Sequence, residues 1–311
     1  MNKTPPGHLS TSSKPLTAID IGSNSFHMVI AKCEQQQLRP IMQLGEKVQL
    51  AANMEDGELS AQAIARGLRC LQRFKQHIDD LAGEGVLRIV ATNALRVAVN
   101  KQAFIDSVER LFGYTVEVIS GKEEARLIYM GVAYTHIDEQ PRLVIDVGGG
   151  STEIIVGRHF EPQALESVQI GCVSYLRFFP NGEIRSNNFQ AAYDSACGEL
   201  SRVADLYRGQ WQNCIGCSGT LLAIERVLIN AGLSQGGIER AALGQLKSML
   251  LNFDTIEAVS FQGLKESRRQ VFASGLAITT ALFDVLKIKR MSLSDAALRE
   301  GVLYELMMQQ T

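Results

Sequence analysis

The positions of apolar and polar residues along the chain predict strands and helices in alternation. Residues 88–91 and 115–119 are short apolar runs of the kind that forms buried strands. After Ser60, a residue that favours the start of a helix, apolar side chains recur near helical spacing. Further helices are predicted over residues 101–112, 188–206, 221–228, 268–286 and 295–307. This order of elements predicts a mixed α/β fold.

An internal repeat is the most informative feature of this pattern. Residues 18–30 align without a gap on residues 144–156, and each copy has an apolar run, an aspartate, a turn of small residues and a second apolar run. Because the second run continues as strand, each copy predicts a β-hairpin. Two hairpins at corresponding places indicate a duplicated fold. Chance similarity of two glycine turns, the alternative, would not extend over the whole aligned stretch.

Length and composition are those of a two-domain protein without a strong overall charge. The chain has 311 residues, of which 46% are hydrophobic and 21% are charged, and its formal net charge is −2. This length predicts two domains, each with its own core. The balanced charge excludes a disordered acidic tail and a basic coat for nucleic acid, so we expect no DNA partner. An anionic ligand would have to bind at a local site.

The sequence indicates neither export nor a membrane span. No run approaches the roughly 18 uncharged apolar residues of a membrane helix. Residues 1–15 lack the apolar centre of a signal peptide and predict a flexible N-terminal arm, so we expect a cytoplasmic protein whose six cysteines are thiols. For the pair Cys214 and Cys217, burial near a strand end is favoured over the alternative of a redox or zinc site.

The second copy of the repeat carries a glycine-rich turn between acidic residues. Gly148, Gly149 and Gly150 have no Cβ to keep the backbone away from a ligand, so several N–H groups can converge on one anion beside the hydroxyl of Ser151. Carboxylates next to a phosphate site suit Mg²⁺. The predicted metal ligands are Asp20, Asp146 and Glu153. A tight turn without a ligand is the alternative, which the flanking carboxylates and the second copy disfavour.

Seven segments of the chain resemble one family of proteins. They are residues 18–31, 91–100, 119–128, 143–153, 171–173, 216–220 and 298–304. The hairpins resemble the phosphate loops of the actin, sugar kinase and Hsp70 superfamily, and the set as a whole resembles the exopolyphosphatase and guanosine pentaphosphate phosphohydrolase family. The resemblance implies two duplicated actin-like (ribonuclease H-like) α/β domains with an interdomain cleft. They would be residues 16–127, which a C-terminal helix at residues 301–311 optionally completes, and residues 128–300.

The resemblance also implies roles for individual residues. Glu124 would be the general base that activates the attacking water, with Glu123 as its rival; an exposed acidic helix start is the alternative for both. The implied phosphate-binding residues are Asn24, Ser25, Arg96, Gly219 and Arg268. A surface arginine is the alternative for Arg96, and a solvated basic face is the alternative for the region of Arg268. His27, which aligns with Glu153, is given no ligand role.

The implied activity is Mg²⁺-dependent hydrolysis of the terminal phosphoanhydride of inorganic polyphosphate, releasing orthophosphate. The unbroken run from Gly148 to Ser151 favours polyphosphate over guanosine pentaphosphate (pppGpp). Hydrolysis of pppGpp, a regulator that binds an alarmone without hydrolysing it, and an ATP-dependent kinase are the alternatives. The chain stops after the superfamily core, as expected of a short two-domain member or of a longer chain cut at that point. A homodimer is kept open because the sequence does not determine the oligomeric state.

Overall fold

The computed structural model describes residues 14–35, 37–52, 54, 56–83 and 85–310. The predicted N-terminal arm, residues 1–15, therefore lies outside the described residues except for Lys14 and Pro15. Among the described residues, no helix is both long enough and apolar enough to cross a membrane.

The first sheet is built around the first copy of the repeat. In the part of the chain that the structure describes, its strands are β1 (Leu16–Ile21), β2 (Ser25–Glu34), β3 (Gln37–Lys47), β4 (Val86–Ala91) and β5 (Val116–Val118). They lie in the spatial order β3-β2-β1-β4-β5. β1 pairs antiparallel with β2 and parallel with β4, so the hairpin occupies the middle of the sheet. The accompanying helices are α1 (Ala61–Leu81), α2 (Asn93–Val97) and α3 (Lys101–Phe112).

The first sheet buries one of its faces against α1 and α3. Ser60 caps α1 as predicted, because its Oγ accepts a hydrogen bond from the backbone N–H of Ala63 at 3.2 Å. Alternate residues of β1, such as Ile19 and Ile21, point into this core with Phe104 of α3. The other face of β1 belongs to a different core, described below.

The second sheet repeats this arrangement around the second copy. Its described strands are β6 (Arg142–Val147), β7 (Thr152–Arg158), β8 (Glu161–Val168), β9 (Asn213–Gly216), β10 (Ile238–Glu239) and β11 (Arg290–Leu293). Their spatial order is β10-β11-β9-β6-β7-β8, with β6 antiparallel to β7 and parallel to β9. The accompanying helices are α5 (Ser186–Ser201), α6 (Gly219–Asn230), α7 (Arg240–Leu250) and α8 (Glu266–Leu286). Both hairpins and the mixed α/β pattern of the sequence are thereby confirmed.

Two helices lie between the sheets. α4 (Gly121–Thr135) packs on β6, β7 and β8, whereas α9 (Leu298–Gln309) packs on β1, β2 and β3. They cross at Gly131 and Gly301, where a Cβ on either glycine would collide with the backbone of the other helix or its N-cap. A third core, which includes Ala18 and Val144, fills the space around them. Burial on both faces explains why β1 and β6 are almost continuously apolar.

The division into two domains is a proposal rather than an observation. The expected boundary between residues 127 and 128 lies inside α4, an unbroken helix. The expected C-terminal helix at residues 301–311 corresponds to α9, which begins three residues earlier and packs on the first sheet. We propose that α9 completes the first domain and that α4 joins the two.

Candidate active site

A cavity of about 550 Å³ lies where the turns of the two hairpins face each other. The starts of α6, α8 and α9 and one face of α4 form the rest of its wall. Of the residues that the sequence singled out, those lining it are Asp20, Asn24, Ser25, Glu124, Asp146, Gly148, Gly149, Gly150, Ser151, Gly219 and Arg268. Arg96 and Glu153 lie behind this wall. The cavity is the candidate active site because it collects residues from distant parts of the chain.

The glycine-rich turn lies at the cavity wall and is held there by hydrogen bonds of its own backbone. The N–H of Gly148 donates to the carbonyl of Ser151 at 2.9 Å, and the carbonyl of Gly149 accepts from the N–H groups of Val173 and Ser174. Among the described residues, the N–H groups of Gly149 and Gly150 have no acceptor. Backbone donors without a partner at a cavity wall are suited to a phosphate oxygen.

The turn needs glycine because other backbone and side-chain atoms approach it closely. A Cβ on Gly150 would collide with Oδ1 of Asn93, which reaches over from α2, and a Cβ on Gly149 would press on Ser23 of the first hairpin. These contacts bring the two repeated turns together across the cleft. Other groups do approach the backbone of this turn closely, as the glycines predicted. The neighbours in the structure are protein atoms of the facing wall, whereas the prediction concerned a ligand.

The first turn presents polar atoms that have no partner. Oδ1 of Asp20, Oγ of Ser23 and Oδ1 of Asn24 are buried without a hydrogen bond from the described residues. The hydroxyl of Ser25 accepts from the amide of Asn24 at 3.3 Å. Buried polar atoms are nearly always satisfied in native proteins, so this group of atoms indicates that a ligand or ordered water belongs here.

Several buried carboxyl groups at or near the cavity wall have raised pKa values. Burial raises the pKa of Asp20 to about 8, and the nearby Glu124 and Asp146 add to the rise while Arg299 opposes it. Burial also raises the pKa of Asp146 to about 7, again with a contribution from Glu124. The pKa of Glu153 lies well above its usual value for the same reasons. Because these acidic groups are close together and lack enough positive charge nearby, they favour the binding of a cation.

The two neighbouring glutamates of α4 have different surroundings. Glu124 is 8% exposed and faces the cavity, whereas Glu123 points away from it and pairs with Arg126 at 2.7 Å. Arg96 of α2 donates to Glu124 at 2.6 Å, to the carbonyl of Ile119 at 3.1 Å and to Oγ of Ser151 at 3.4 Å. Of the two glutamates, only Glu124 can meet a ligand in the cavity, and Arg96 fixes its orientation.

The carboxylates fit a divalent cation only in part. Within the described residues, no group of three or more His, Cys, Asp or Glu side chains is close enough to hold a metal ion by itself. Asp20 and Asp146 line the cavity, and Oδ1 of Asp20 has no other partner. Glu153 instead accepts a hydrogen bond from Ser167 at 2.7 Å behind the wall. The remaining pair, Asp20 and Asp146, suits Mg²⁺, which typically takes one or two carboxylates and completes its shell with water and substrate oxygens.

The cysteine pair lies at the end of β9 and the turn that follows it. Cys214 is buried in the core of the second sheet, whereas Cys217 lines the cavity and its Sγ lies 3.7 Å from Oδ2 of Asp146. Burial raises the pKa of both thiols above the usual value. Both residues are 4% exposed and lie in β9 or directly after it, which agrees with the favoured prediction of buried cysteines near a strand end.

Arg268 and Gly219 form one side of the cavity mouth. Gly219 is the first residue of α6, and a Cβ at this position would collide with the guanidinium of Arg268. Arg268 therefore lies across the N-terminus of α6, where backbone N–H groups favour anions. Sequence reasoning missed other lining residues, namely Thr92, Asn93, Ser218, Asp295 and Arg299. Arg299 lies in a segment that carried the family resemblance, but no chemical role followed from its position there.

Comparisons with known proteins agree with this geometry. The family model of the Ppx/GppA phosphatase family matches residues 29–310. The guanosine-5'-triphosphate,3'-diphosphate pyrophosphatase of Photobacterium profundum is 41% identical over 93% of this chain and 59% of its own length. The protein of the same name from Pseudoalteromonas translucida is 41% identical over 97% of this chain and 61% of its own length. The chain thus spans about 60% of the length of these curated relatives.

Solved structures share the fold. The crystal structure of the Aquifex aeolicus member of the Ppx/GppA family superposes with a TM-score of 0.79 at 26% identity, covering 96% of this chain and 98% of that chain. An exopolyphosphatase from Cytophaga hutchinsonii gives a TM-score of 0.84 at 24% identity over 95% of this chain and 98% of that chain, which shows the fold alone. The predicted fold class of two duplicated actin-like domains is confirmed. The chain belongs to the Ppx/GppA phosphatase family, as its sequence motifs implied.

Proposed function

We propose that this chain hydrolyses a terminal phosphoanhydride bond, with Glu124 as the general base and pppGpp as the substrate. The observation that carries the proposal is the position of Glu124, a buried carboxylate that faces a cavity lined with unpaired backbone N–H groups. A binding protein would need the N–H groups but not the base. This is the reason to favour an enzyme over a regulator that only holds the nucleotide.

The choice of substrate differs from the one that the sequence favoured. The glycine run at residues 148–150 favoured polyphosphate, whereas the curated relatives at about 40% identity are guanosine-5'-triphosphate,3'-diphosphate pyrophosphatases by name. Their similarity covers nearly the whole chain, while the glycine argument rests on one position in the turn. We therefore propose pppGpp as the main substrate, and inorganic polyphosphate as the second candidate.

In the proposed reaction Glu124 takes a proton from a water that attacks the terminal phosphorus. Burial raises the pKa of Glu124, and the charge and hydrogen bond of Arg96 act in the opposite direction. A raised pKa makes the carboxylate a stronger proton acceptor, and the positive charge of Arg96 favours its ionised form. Arg96 holds the carboxylate in place, and the N–H groups of Gly149 and Gly150 are proposed to bind the phosphate oxygens whose charge increases in the transition state.

We further propose that Mg²⁺ supports this reaction. Asp20 and Asp146 would hold the ion together with phosphate oxygens, and Glu153 would orient Asp146 from behind or join it after a side-chain movement. When bound, Mg²⁺ would neutralise phosphate charge and balance the buried carboxylates.

A homodimer and a cytoplasmic location are also proposals. Light scattering of the purified chain measures its mass in solution, and cell fractionation measures its location.

Release of orthophosphate from pppGpp, inorganic polyphosphate and ATP, each with and without Mg²⁺, tests the proposal. We expect the highest kcat/KM on pppGpp and a requirement for Mg²⁺. Polyphosphate as the better substrate would restore the preference that the sequence predicted. Transfer of phosphate from ATP to an acceptor, with no hydrolysis of the other two, would indicate the kinase alternative instead.

The matched pair Glu124→Gln and Glu123→Gln tests the base. Both changes remove one carboxylate from neighbouring positions of α4, but only Glu124 faces the cavity. We expect Glu124→Gln to lower kcat by about 10²–10⁴-fold, the usual contribution of a general base, and Glu123→Gln to have little effect. A fully active Glu124→Gln enzyme would remove Glu124 from the mechanism.

A further inference from the structure

Arg299 is a cavity residue that comes from the C-terminal helix. It is the second residue of α9 and lines the cavity together with Asp295, Ala297 and Leu298. Segments 216–220 and 266–286 bring Gly219 and Arg268 to the same cavity. The C-terminal segment therefore supplies an additional cation to the wall of the site.

The side chain of Arg299 is partly buried, and its guanidinium makes no hydrogen bond to a described residue. Its side chain is 19% exposed, and the charged partner within 4 Å is Glu300, whose Oε1 lies 3.7 Å away, too far for a hydrogen bond. Oε2 of Glu300 accepts a hydrogen bond from the backbone N–H of Ala297 at 2.8 Å. No acceptor for Arg299 occurs among the residues that the structure describes. A guanidinium has five donors, and those of Arg299 are therefore available to a ligand in the cavity.

Asp20 does not provide the missing acceptor. No ion pair within 4 Å joins Arg299 to Asp20 in the described part of the chain, although the charge of Arg299 acts on Asp20 from a distance. Oδ1 of Asp20 is itself without a hydrogen bond. Arg299 and Asp20 therefore both line the cavity without satisfying each other's hydrogen-bonding groups.

The other two arginines of the site differ in how many of their hydrogen-bond donors already have a partner in the protein. All the contacts of Arg96 are to protein atoms of Glu124, Ile119 and Ser151, and it lies behind the wall. Arg268 lines the cavity at its mouth, and its guanidinium makes no hydrogen bond to a described residue. Arg268 and Arg299 are therefore the cations with donors available to a ligand in this cavity.

Close to Arg299, helix α9 packs tightly against helix α4. Two residues further along α9, Gly301 touches the backbone of Leu127 in α4, the helix that carries Glu124. A side chain at Gly301 would force the two helices apart. This contact limits how far the backbones that carry Arg299 and Glu124 can shift relative to each other, which suits a residue that must bind substrate in register with the base.

We propose that Arg299 binds the phosphate chain of the substrate directly, together with Arg268. The planar guanidinium is suited to bidentate contact with phosphate oxygens, and an anion between Arg299 and the glycine turn would satisfy the unpaired donors of both. This inference rests on the proposed function, since it assigns a ligand to the same cavity. It makes Arg299 a substrate-binding residue that the C-terminal helix α9 contributes to the site.

Binding of inorganic tripolyphosphate, measured by calorimetry, separates this proposal from the proposed reaction. The titrations use a Glu124→Gln background, so that hydrolysis cannot consume the probe, and compare it with the same protein carrying Arg299→Gln or Arg202→Gln. Arg202 is the matched control because its side chain is 73% exposed and pairs with Glu199 on the surface. We expect Arg299→Gln to weaken binding by about 10- to 100-fold and Arg202→Gln to leave it unchanged.

Kinetics and a conservative variant complete the test. With Glu124 intact, Arg299→Gln should raise KM strongly and lower kcat less, as removal of a ground-state contact does. Arg299→Lys keeps the positive charge but loses the planar group that can make two parallel hydrogen bonds. It should bind the probe better than Arg299→Gln and worse than the parent. Arg299→Lys is used alone if Arg299→Gln does not fold. Parental affinity in a folded Arg299→Gln or Arg299→Lys protein, or no binding by the parent itself, overturns the role of Arg299. Parental affinity together with wild-type turnover overturns Arg299 alone and leaves the proposed reaction standing.

Discussion

The hairpin of β1 and β2 and the hairpin of β6 and β7 share a backbone plan but surround their aspartates differently. In the first, Asp20 lies directly across the strand pair from His27; in the second, Asp146 lies across from Glu153. Each aspartate is the second-last residue of its strand and faces the same cavity. The duplication therefore brings two equivalent carboxylates together but gives them unequal neighbours.

The neighbours determine which aspartate is better placed to hold a cation. His27 packs over Gly45 of β3, where a side chain would collide with its ring, and burial lowers its pKa to about 3, so it is neutral. Arg299 supplies positive charge near Asp20. Glu124 lies near both aspartates, and Arg268 opposes the rise in the pKa of Asp146. The second hairpin thus carries two carboxylates, Asp146 and Glu153, where the first carries one carboxylate beside a neutral histidine, so a cation has more acidic groups to balance at the second hairpin.

The largest effect expected from this comparison is on catalysis. Asp146→Asn should lower kcat by about 10²–10³-fold, the range for losing one preorganised electrostatic group. Asp20→Asn should lower it less, because Arg299 already contributes positive charge on that side. Phosphate release from pppGpp is measured for each variant over a series of Mg²⁺ concentrations up to saturation. The series gives the apparent metal affinity, and its saturating end gives kcat. Equal losses in the two variants would show that the hairpins act as equivalent halves.

The sequence predicted the hairpins but not how the site closes around them. The continuous apolar runs and the aspartates in register predicted β1, β2, β6 and β7, since these features are local. β3 was not predicted, because this edge strand is exposed on most positions and rich in polar residues. Arg299 was not assigned a role because its approach to Asp20 depends on how α9 crosses α4. Such convergence is a property of packing between distant segments, which periodicity does not contain.

A smaller effect is expected on stability, and it should rank the aspartates in the opposite order. The pKa of Asp20 is raised from 3.8 to about 8 in the folded chain, so the protein is most stable below about pH 4 with respect to this group and loses that stability as pH rises to about 8. Asp20→Asn removes this loss and should raise the melting temperature by a few degrees at pH 8, with no gain at pH 4.

Asp146→Asn serves as the matched variant for this measurement. The pKa of Asp146 is raised to about 7, a smaller change, so its replacement should stabilise the protein less at pH 8. Thermal unfolding followed by circular dichroism, in the presence of a chelator and without phosphate, measures both. A larger gain for Asp146→Asn than for Asp20→Asn would contradict the assignment of the more strongly raised pKa to the first hairpin.

The smallest effect is expected at His27, the residue that takes the place of Glu153. A pKa of about 3 means that the imidazole stays neutral throughout the range in which free histidine titrates. His27→Gln keeps a neutral polar side chain over Gly45, so the pH dependence of kcat/KM between about pH 5 and pH 8 should keep its shape. The measurement is a pH–rate profile for wild type and variant on the same substrate. A profile that loses one of its limbs in His27→Gln would show that His27 carries a proton in the working enzyme, and the first hairpin would then have acid–base chemistry of its own.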